Sequence, residues 1–217
     1  MLKRSIGLNS GVLAIFALVT SLLLASTYLG TRDTIAAAER RAAQKILLEI
    51  YPPGSHDNDI LSDTLAIPQA YLSTLGLKGA ADLHVVRKAG AVVGFIIPAT
   101  APEGYGGAIR LLVGIAVDGR VVGVRVLSHN ETPGLGDKLE LRIHPWVLSF
   151  NGKSLGNPNR EGWQVKKDGG EFDQFTGATI TPRAVVGRVL KTLIFYREHS
   201  AELLASATPS QPREPQP

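Results

Sequence analysis

The stretch RLLVGIAVDGRVVGVRVL, residues 110–127, decides the fold class of this chain. Its two halves, Arg110 to Val117 and Val121 to Leu127, are rich in the β-branched and aliphatic residues that strands favour. Asp118-Gly119 stands between them, and this dipeptide is typical of the tight turn of a β-hairpin. The sequence therefore predicts two antiparallel strands joined by a short turn.

Further hairpins are predicted on both sides of this one. Upstream, Leu83 to Arg87 and Ala91 to Ile97 flank the turn-forming Lys88-Ala89-Gly90. Downstream, a shorter hairpin is predicted from Trp163 to Phe172 around Asp168-Gly169-Gly170. Repeated short strands separated by turn residues indicate an antiparallel arrangement.

Helical patterns lie among and after these strands. A helix is predicted from Asp137 to Phe150, with an interruption near Pro145. The last helix is predicted to begin at Thr181-Pro182, because threonine can cap free amides and proline suits the first helical turn. One apolar stripe of this helix is expected to join the core, at Val185, Val186, Val189, Leu190, Leu193 and Ile194. The expected fold is α+β, with antiparallel hairpins packed against helices.

The amino-terminal segment has the composition of a membrane-spanning helix. Between Arg4 and Arg32 lie 27 residues without a charge, and about 20 apolar residues suffice to cross a bilayer. Lys3 and Arg4 predict a cytoplasmic amino terminus by the positive-inside rule. A cleaved signal peptide is the alternative, but Ala25-Ser26-Thr27 matches a cleavage site poorly. We therefore favour a retained single-pass anchor.

The chain is thus expected to divide into four parts. Residues 1–31 form a cytoplasmic tip and the transmembrane anchor, and residues 32–54 form an amphipathic connector helix. Residues 55–205 form an extracytoplasmic domain. Residues 206–217 are expected to be disordered, because they contain too few apolar side chains to pack.

Composition excludes several kinds of site. No cysteine is present, so the chain alone cannot build a disulfide, a thiolate metal site or an iron–sulfur cluster. We expect no metal site, and any redox chemistry requires a cofactor held in another way. Apart from Lys3 and Arg4 the chain carries 21 basic and 19 acidic residues, with no basic run longer than two. That balance argues against nucleic-acid binding.

Two glycine-containing loops interrupt the pattern before the last third of the chain. The first, PEGYGG at residues 102–107, places Tyr105 between glycines, where backbone and an aromatic ring could approach a flat ligand. Taken alone, an ordinary turn is the simpler explanation. The second, SHNETPGLGDK at residues 128–138, holds His129 and Glu131, which a solvated loop explains more simply than acid–base chemistry does.

A third loop, DQFTGATITP at residues 173–182, carries three hydroxyl side chains directly before a helix. A helix amino terminus offers free N–H groups and a partial positive charge, so a phosphate attached just upstream would be stabilised there. Thr179 occupies that position, and Gly177 and Ala178 leave its hydroxyl accessible. The competing interpretation is that Thr181 caps the helix and that the other residues only turn the chain.

The string DQFTGATITP, preceded in the same order by GYGG and ETPGLGDK, closely resembles the FMN-binding domain found in the G subunits of Rnf ion-translocating electron transport complexes. The resemblance includes the amino-terminal anchor and so spans nearly the whole chain. It implies that a flavin transferase takes FAD and leaves FMN on Thr179 through a phosphoester bond. The recognition residues that it implies are Asp173, Thr176, Gly177 and Ala178.

We expect the first two loops and the helix start to position the flavin ring. The remaining predicted contacts are Tyr105, Gly106, Gly107, Glu131, Thr132, Gly134, Leu135, Gly136 and Thr181. The related C subunit of the sodium-pumping NADH:quinone reductase shares the threonine motif but usually has a serine in place of Pro182. The proline therefore favours the Rnf branch.

The function implied by this resemblance is electron relay rather than catalysis on a substrate, so we expect no catalytic residue. Such complexes move electrons between ferredoxin and NAD and couple this to Na⁺ or H⁺ transport across the bacterial inner membrane. The chain would act among the other subunits, with its main domain in the periplasm. The alternatives are a stand-alone extracytoplasmic flavin reductase, a protein like the C subunit, and an adaptor that has lost its flavin.

Overall fold

The computed structural model describes residues 2–208, with side chains from residue 9 onward. It begins with one helix, α1 (Leu2–Ile50), so the predicted anchor and connector helix are continuous. The segment Asn9–Ile50 is long and apolar enough to cross a membrane. The helix residues up to Gln44 form one compact unit, and the chain from Lys45 onward forms another.

Five strands of the second unit form one antiparallel sheet. They are β1 (Thr64–Ala66), β2 (Asp82–Lys88), β3 (Ala91–Gly104), β4 (Gly107–Ala116) and β5 (Val121–Ser128), in that order across the sheet. A short helix, α2 (Gln69–Leu72), lies between β1 and β2. The two longer hairpins predicted from sequence are confirmed, since β2 pairs with β3 and β4 pairs with β5. β3 continues further than expected, and its last residues form a third hairpin with β4.

The helix predicted over residues 137–150 is wrong in its type and its continuity. Only two 3₁₀ segments form, Asp137–Leu139 and Pro145–Phe150. Pro145 has no N–H to donate and disfavours a helical conformation in the residue before it, and His144 is accordingly extended. His144 instead caps the second segment, because its Nδ1 accepts the N–H of Trp146 at 3.2 Å.

The hairpin predicted between residues 163 and 172 is also wrong. Lys166–Asp168 form a 3₁₀ turn, and an isolated bridge links Val165 to Phe172. The aromatic side chains explain the difference, because Phe172 stacks on Phe150 at 4.7 Å and packs against the tilted ring of Trp163 at 5.2 Å between ring centroids. These residues are buried by ring packing rather than by strand pairing.

The last helix, α3 (Ile180–Ala207), packs on β3 and closes the main core. Five residues of its predicted apolar stripe are confirmed in the core, where Val185, Val186, Val189 and Leu193 are buried with Phe95 of β3 and Leu190 packs against them. Ile194 is only partly buried and lies outside this cluster. The helix begins one residue before the predicted start. It includes residues 206 and 207, so the predicted disorder of these two residues is wrong. Residues 209–217 of the predicted tail lie outside the described part of the chain.

The end of α1 packs on the face of the sheet that lies opposite α3. Leu47, Ile50 and Tyr51 form a second buried cluster with Ile96 and Leu112. Successive side chains of a strand point to opposite faces, so these sheet residues face away from α3.

Glycines on β3 and β4 make room for this helix end. A Cβ atom at Gly94 would lie 1.9 Å from Oη of Tyr51, and one at Gly114 would lie 2.2 Å from Cγ2 of Ile50. The hydroxyl of Tyr51 donates a hydrogen bond to the carbonyl of Ile115 at 3.0 Å. Burial raises the pKa of this hydroxyl, which keeps it protonated as a donor. This hydrogen bond and the close packing at the two glycines hold the end of α1 against the sheet.

We expect Gly114→Val to lower the free energy of unfolding by about 1–3 kcal/mol, because the new side chain overlaps Ile50. Urea unfolding of the full chain in detergent micelles, followed by tryptophan fluorescence, measures this change. Gly187→Ala in α3 is the control, since a Cβ atom meets nothing there within 4 Å. Alanine is a better helix former than glycine, so the control should be more stable. A Gly114→Val protein as stable as the wild type would contradict the close packing of Ile50 against Gly114.

Candidate functional site

The three loops singled out in the sequence meet around one cavity of about 370 Å³, here called the first cavity. The β3–β4 turn forms one wall, the loop after β5 forms the second, and the start of α3 forms the third. Nine predicted site residues line it: Tyr105, Glu131, Thr132, Leu135, Gly136, Gly177, Ala178, Thr179 and Thr181. A volume of this size is typical of small-molecule sites.

The first wall brings an aromatic ring to the cavity. Tyr105 is 72% exposed at the tip of the β3–β4 turn. A Cβ atom at Gly106 would lie 1.9 Å from the carbonyl oxygen of Asn130, so only glycine lets this turn approach the second loop so closely. Gly107, which pairs with Gly104, has a φ of +113° and lies outside the cavity lining.

Glu131 joins the three walls. It is only 4% exposed, and its Oε1 accepts a hydrogen bond from the N–H of Gly106 at 2.8 Å. Its Oε2 accepts a second hydrogen bond from the hydroxyl of Thr181. The interpretation of this residue as part of a solvated loop is therefore wrong. Its carboxylate fastens the first and third loops to the second, and charge-assisted hydrogen bonds of this kind are among the stronger ones in proteins.

His129 supports Glu131 from outside the cavity lining. Its Nδ1 accepts the backbone N–H of Glu131 at 3.0 Å, and its Nε2 lies 2.7 Å from Oε1 of Glu140. The guanidinium of Arg142 donates to Glu140 and lowers the pKa of that carboxyl, and the hydrogen bond from His129 adds to the effect. The imidazole is thus part of the scaffold of the second loop rather than a solvated side chain.

The second loop uses glycine at two positions. A Cβ atom at Gly136 would lie 2.8 Å from Cβ of Glu131. Gly134 has a φ of +77°, and its N–H donates to Asp137 at 2.9 Å, outside the cavity lining. Between the glycines, Leu135 is 42% exposed and lines the cavity. The loop therefore presents an apolar side chain to any ligand bound there.

The third wall is the start of α3. Thr179 stands at the N-cap position, and its side chain makes no capping hydrogen bond. The prediction that Thr181 caps the helix is wrong, because Thr181 lies inside the first turn, is buried and donates to Glu131. Sequence reasoning missed Ile180, which is 46% exposed and lines the cavity. Its position directly after Thr179 was the signal that could have identified it.

Asp173 and Thr176 lie away from the first cavity. Both line a second cavity of about 490 Å³. Asp173 forms an exposed ion pair with Lys166, with Nζ and Oδ1 2.6 Å apart, and its carbonyl accepts a hydrogen bond from Nε1 of Trp146 at 2.8 Å. Gly177, with a φ of +81°, follows these residues and lines the first cavity. The motif at residues 173–179 is therefore divided between two surfaces of one loop.

The residues of the first cavity fit FMN. Tyr105, Leu135 and Ile180 offer exposed aromatic or apolar surface suited to a flat ring. Thr179 offers an uncapped hydroxyl at a helix start, where a phosphate group is stabilised by free N–H groups. Within residues 9–208, no group of three or more His, Asp or Glu side chains could hold a metal ion.

Comparison with protein families identifies the class to which this fold and site belong. Residues 104–193, which include all three walls of the first cavity, match the model of the FMN-binding domain. Residues 1–50 match a second model, described as the RnfG N-terminal region. The chain is thus an FMN-binding domain protein whose amino-terminal helix matches one particular branch of that class.

Similar curated proteins identify the branch. The G subunit of the ion-translocating oxidoreductase complex of Pseudomonas aeruginosa is 49% identical over 94% of each chain. The proteins of the same description from Pseudoalteromonas atlantica and Vibrio cholerae are 46% and 42% identical, over 95% and 94% of this chain and 95% and 96% of theirs. This chain belongs to the family of G subunits of ion-translocating oxidoreductase complexes.

Proposed function

We propose that this chain is the electron-transfer subunit of an ion-translocating oxidoreductase complex and carries FMN in the first cavity, esterified to Thr179. One observation supports the attachment site above the others: the Thr179 side chain lines the cavity at the start of α3 without a capping hydrogen bond. The family to which the chain belongs supports its place in the complex.

The start of α3 provides a physical reason for attachment at Thr179. The helix has 28 residues, and its aligned peptide dipoles produce a partial positive charge at the first turn. N–H groups of that turn lack partners within the helix. A phosphate ester on Thr179 would accept hydrogen bonds from them and would be stabilised by the dipole.

The walls of the first cavity would orient the flavin ring. Tyr105, Leu135 and Ile180 can cover its apolar surface, and Gly106 and Gly136 let the walls pack closely against the second loop. Bound flavin supplies one- and two-electron transfer without a thiol or a metal. The side chains around it would limit contact between the bound ring and water.

Attachment requires a flavin transferase. We expect it to recognise Asp173 and Thr176 together with Gly177 and Ala178. The first three of these residues are exposed, and Ala178 is partly buried. In the transfer, the pyrophosphate bond of FAD breaks and AMP leaves. A phosphoester bond forms between the FMN phosphate and Oγ1 of Thr179, whose proton is released.

The long helix α1 supports a location at the membrane. We expect the chain to cross the bacterial inner membrane once, with its amino terminus in the cytoplasm and the flavin domain in the periplasm. There it would act beside the other subunits of an Rnf-type complex. Electrons would pass between ferredoxin and NAD, and their transfer would be coupled to the movement of ions.

Intact mass spectrometry of the full chain tests the proposal. Protein produced together with a flavin transferase should gain the mass of one FMN less one water, and protein produced without it should not. Peptide mapping should locate this gain on Thr179. An unchanged mass in the presence of active transferase would refute the covalent attachment.

A further inference from the structure

Glu131 is the one charged side chain among the residues that line the first cavity. The other nine lining residues, all of which belong to the described part of the chain, are neutral at pH 7. The hydrogen-bond partners of the carboxylate, the N–H of Gly106 and the hydroxyl of Thr181, are neutral as well. A buried charge without a counter-charge interacts strongly with any further charge nearby, because the local dielectric constant is low.

The adjacent histidine makes no hydrogen bond to the Glu131 carboxylate. Nδ1 of His129 accepts the backbone N–H of Glu131 at 3.0 Å. Nε2 of this ring faces Oε1 of Glu140 at 2.7 Å. Both ring nitrogens of His129 are therefore engaged away from the Glu131 carboxylate. The nearest cation of the network, Arg142, is paired with Glu140 and highly exposed.

We propose that Glu131 sets the reduction potential of the flavin by holding a negative charge at the wall of the first cavity. The inference rests on the function proposed above. Reduction adds two electrons from the electron donor and one proton from water, so the ring gains one net negative charge. The carboxylate repels that added charge, which makes the flavin harder to reduce and lowers its potential.

Glu131→Gln separates the charge of this residue from its structural role. Glutamine has the same shape, can accept the N–H of Gly106 through its oxygen and can donate to the hydroxyl oxygen of Thr181 through its amide. The loops should therefore stay joined while the charge is lost. We expect the equilibrium constant for two-electron reduction to rise at least tenfold, which raises the midpoint potential by about 30 mV.

A redox titration of the full flavin-loaded chain in detergent micelles, with dithionite as reductant, measures this shift. Glu198→Gln is the matched control, because it changes the net charge equally at an exposed position of α3. Glu198 lies 18 residues beyond Ile180, or about 27 Å along the helix. The flavin in Glu198→Gln should therefore have the same midpoint potential as in the wild type. A change below tenfold in Glu131→Gln, or equal shifts in both variants, would overturn the inference.

A measurement on the wild-type protein covers the case in which Glu131→Gln does not fold. The carboxyl carbon of Glu131, observed by NMR in the flavin-loaded chain, should report an ionised group at pH 7. A protonated group would overturn the inference. Flavin fluorescence in a denaturing gel tests the attachment separately: absence of the flavin contradicts the proposed function, whereas attached flavin with an unshifted potential contradicts only the role of Glu131.

Discussion

Thr179→Val is expected to abolish the covalent flavin completely. Valine has nearly the same shape as threonine but lacks the hydroxyl that forms the phosphoester bond. Full chain produced with a flavin transferase should give a fluorescent band in a denaturing gel, and the variant band should be dark. The free energy of unfolding should change by less than about 0.5 kcal/mol, because the Thr179 side chain makes no capping hydrogen bond. Loss of the band would then reflect lost chemistry rather than lost folding.

Thr132→Val is the matched control for this experiment. Thr132 is an exposed threonine in the same cavity lining but on the second loop. Its substitution should leave the fluorescent band intact, because it does not supply the esterified oxygen. Fluorescence that persists in Thr179→Val would mean that another hydroxyl carries the flavin, and Thr176 would be examined next.

Sequence patterns predicted the elements that depend on local preferences. The strands around Asp118-Gly119 and around Lys88-Ala89-Gly90 were correct because β-branched residues and a turn dipeptide act over a few residues. The buried stripe of α3 was correct for the same reason, since helical periodicity is a local property. The three loops of the site could also be singled out, because glycine and hydroxyl residues interrupt these patterns.

Long-range packing decided the elements that the patterns did not predict. Trp163 and Phe172 have strand-like neighbours, yet both rings are buried against Phe150, which is distant in sequence. The short strand β1 depends on its pairing with β2, because three residues carry too little pattern of their own. Local preference is a weak guide where such tertiary contacts dominate.

The connection between Glu131 and Thr181 illustrates the same limit within the site. Their side chains meet across 50 residues of sequence, and no local pattern indicates that contact. Thr181 has the residue type and position of a helix cap, whereas Glu131 has the polar neighbours of a solvated loop. Only the folded chain shows that the hydroxyl of Thr181 and the carboxylate of Glu131 are hydrogen-bonding partners. The burial of a charged loop residue such as Glu131 could therefore be recognised only from the structure.

Glu131→Ala is expected to lower the free energy of unfolding by about 2–5 kcal/mol. It removes the acceptor for both Gly106 and Thr181, and a buried donor without a partner costs about 1–3 kcal/mol. Chain produced without a flavin transferase should be used, so that the loss cannot be attributed to missing flavin. Urea unfolding in detergent micelles, followed by the fluorescence of the buried tryptophans, gives the value.

Two variants define what this loss means. Glu131→Gln should retain most of the stability, because the amide can still bond to both partners. Glu198→Ala removes an exposed carboxylate of α3 and should change the free energy of unfolding by less than about 0.5 kcal/mol. If Glu131→Ala is as stable as Glu198→Ala, the carboxylate does not hold the three loops together. Glu131→Gln keeps the hydrogen bonds and loses the charge, whereas Glu131→Ala loses both. If the two variants are equally unstable, the charge of Glu131 rather than its hydrogen bonds holds the three loops together.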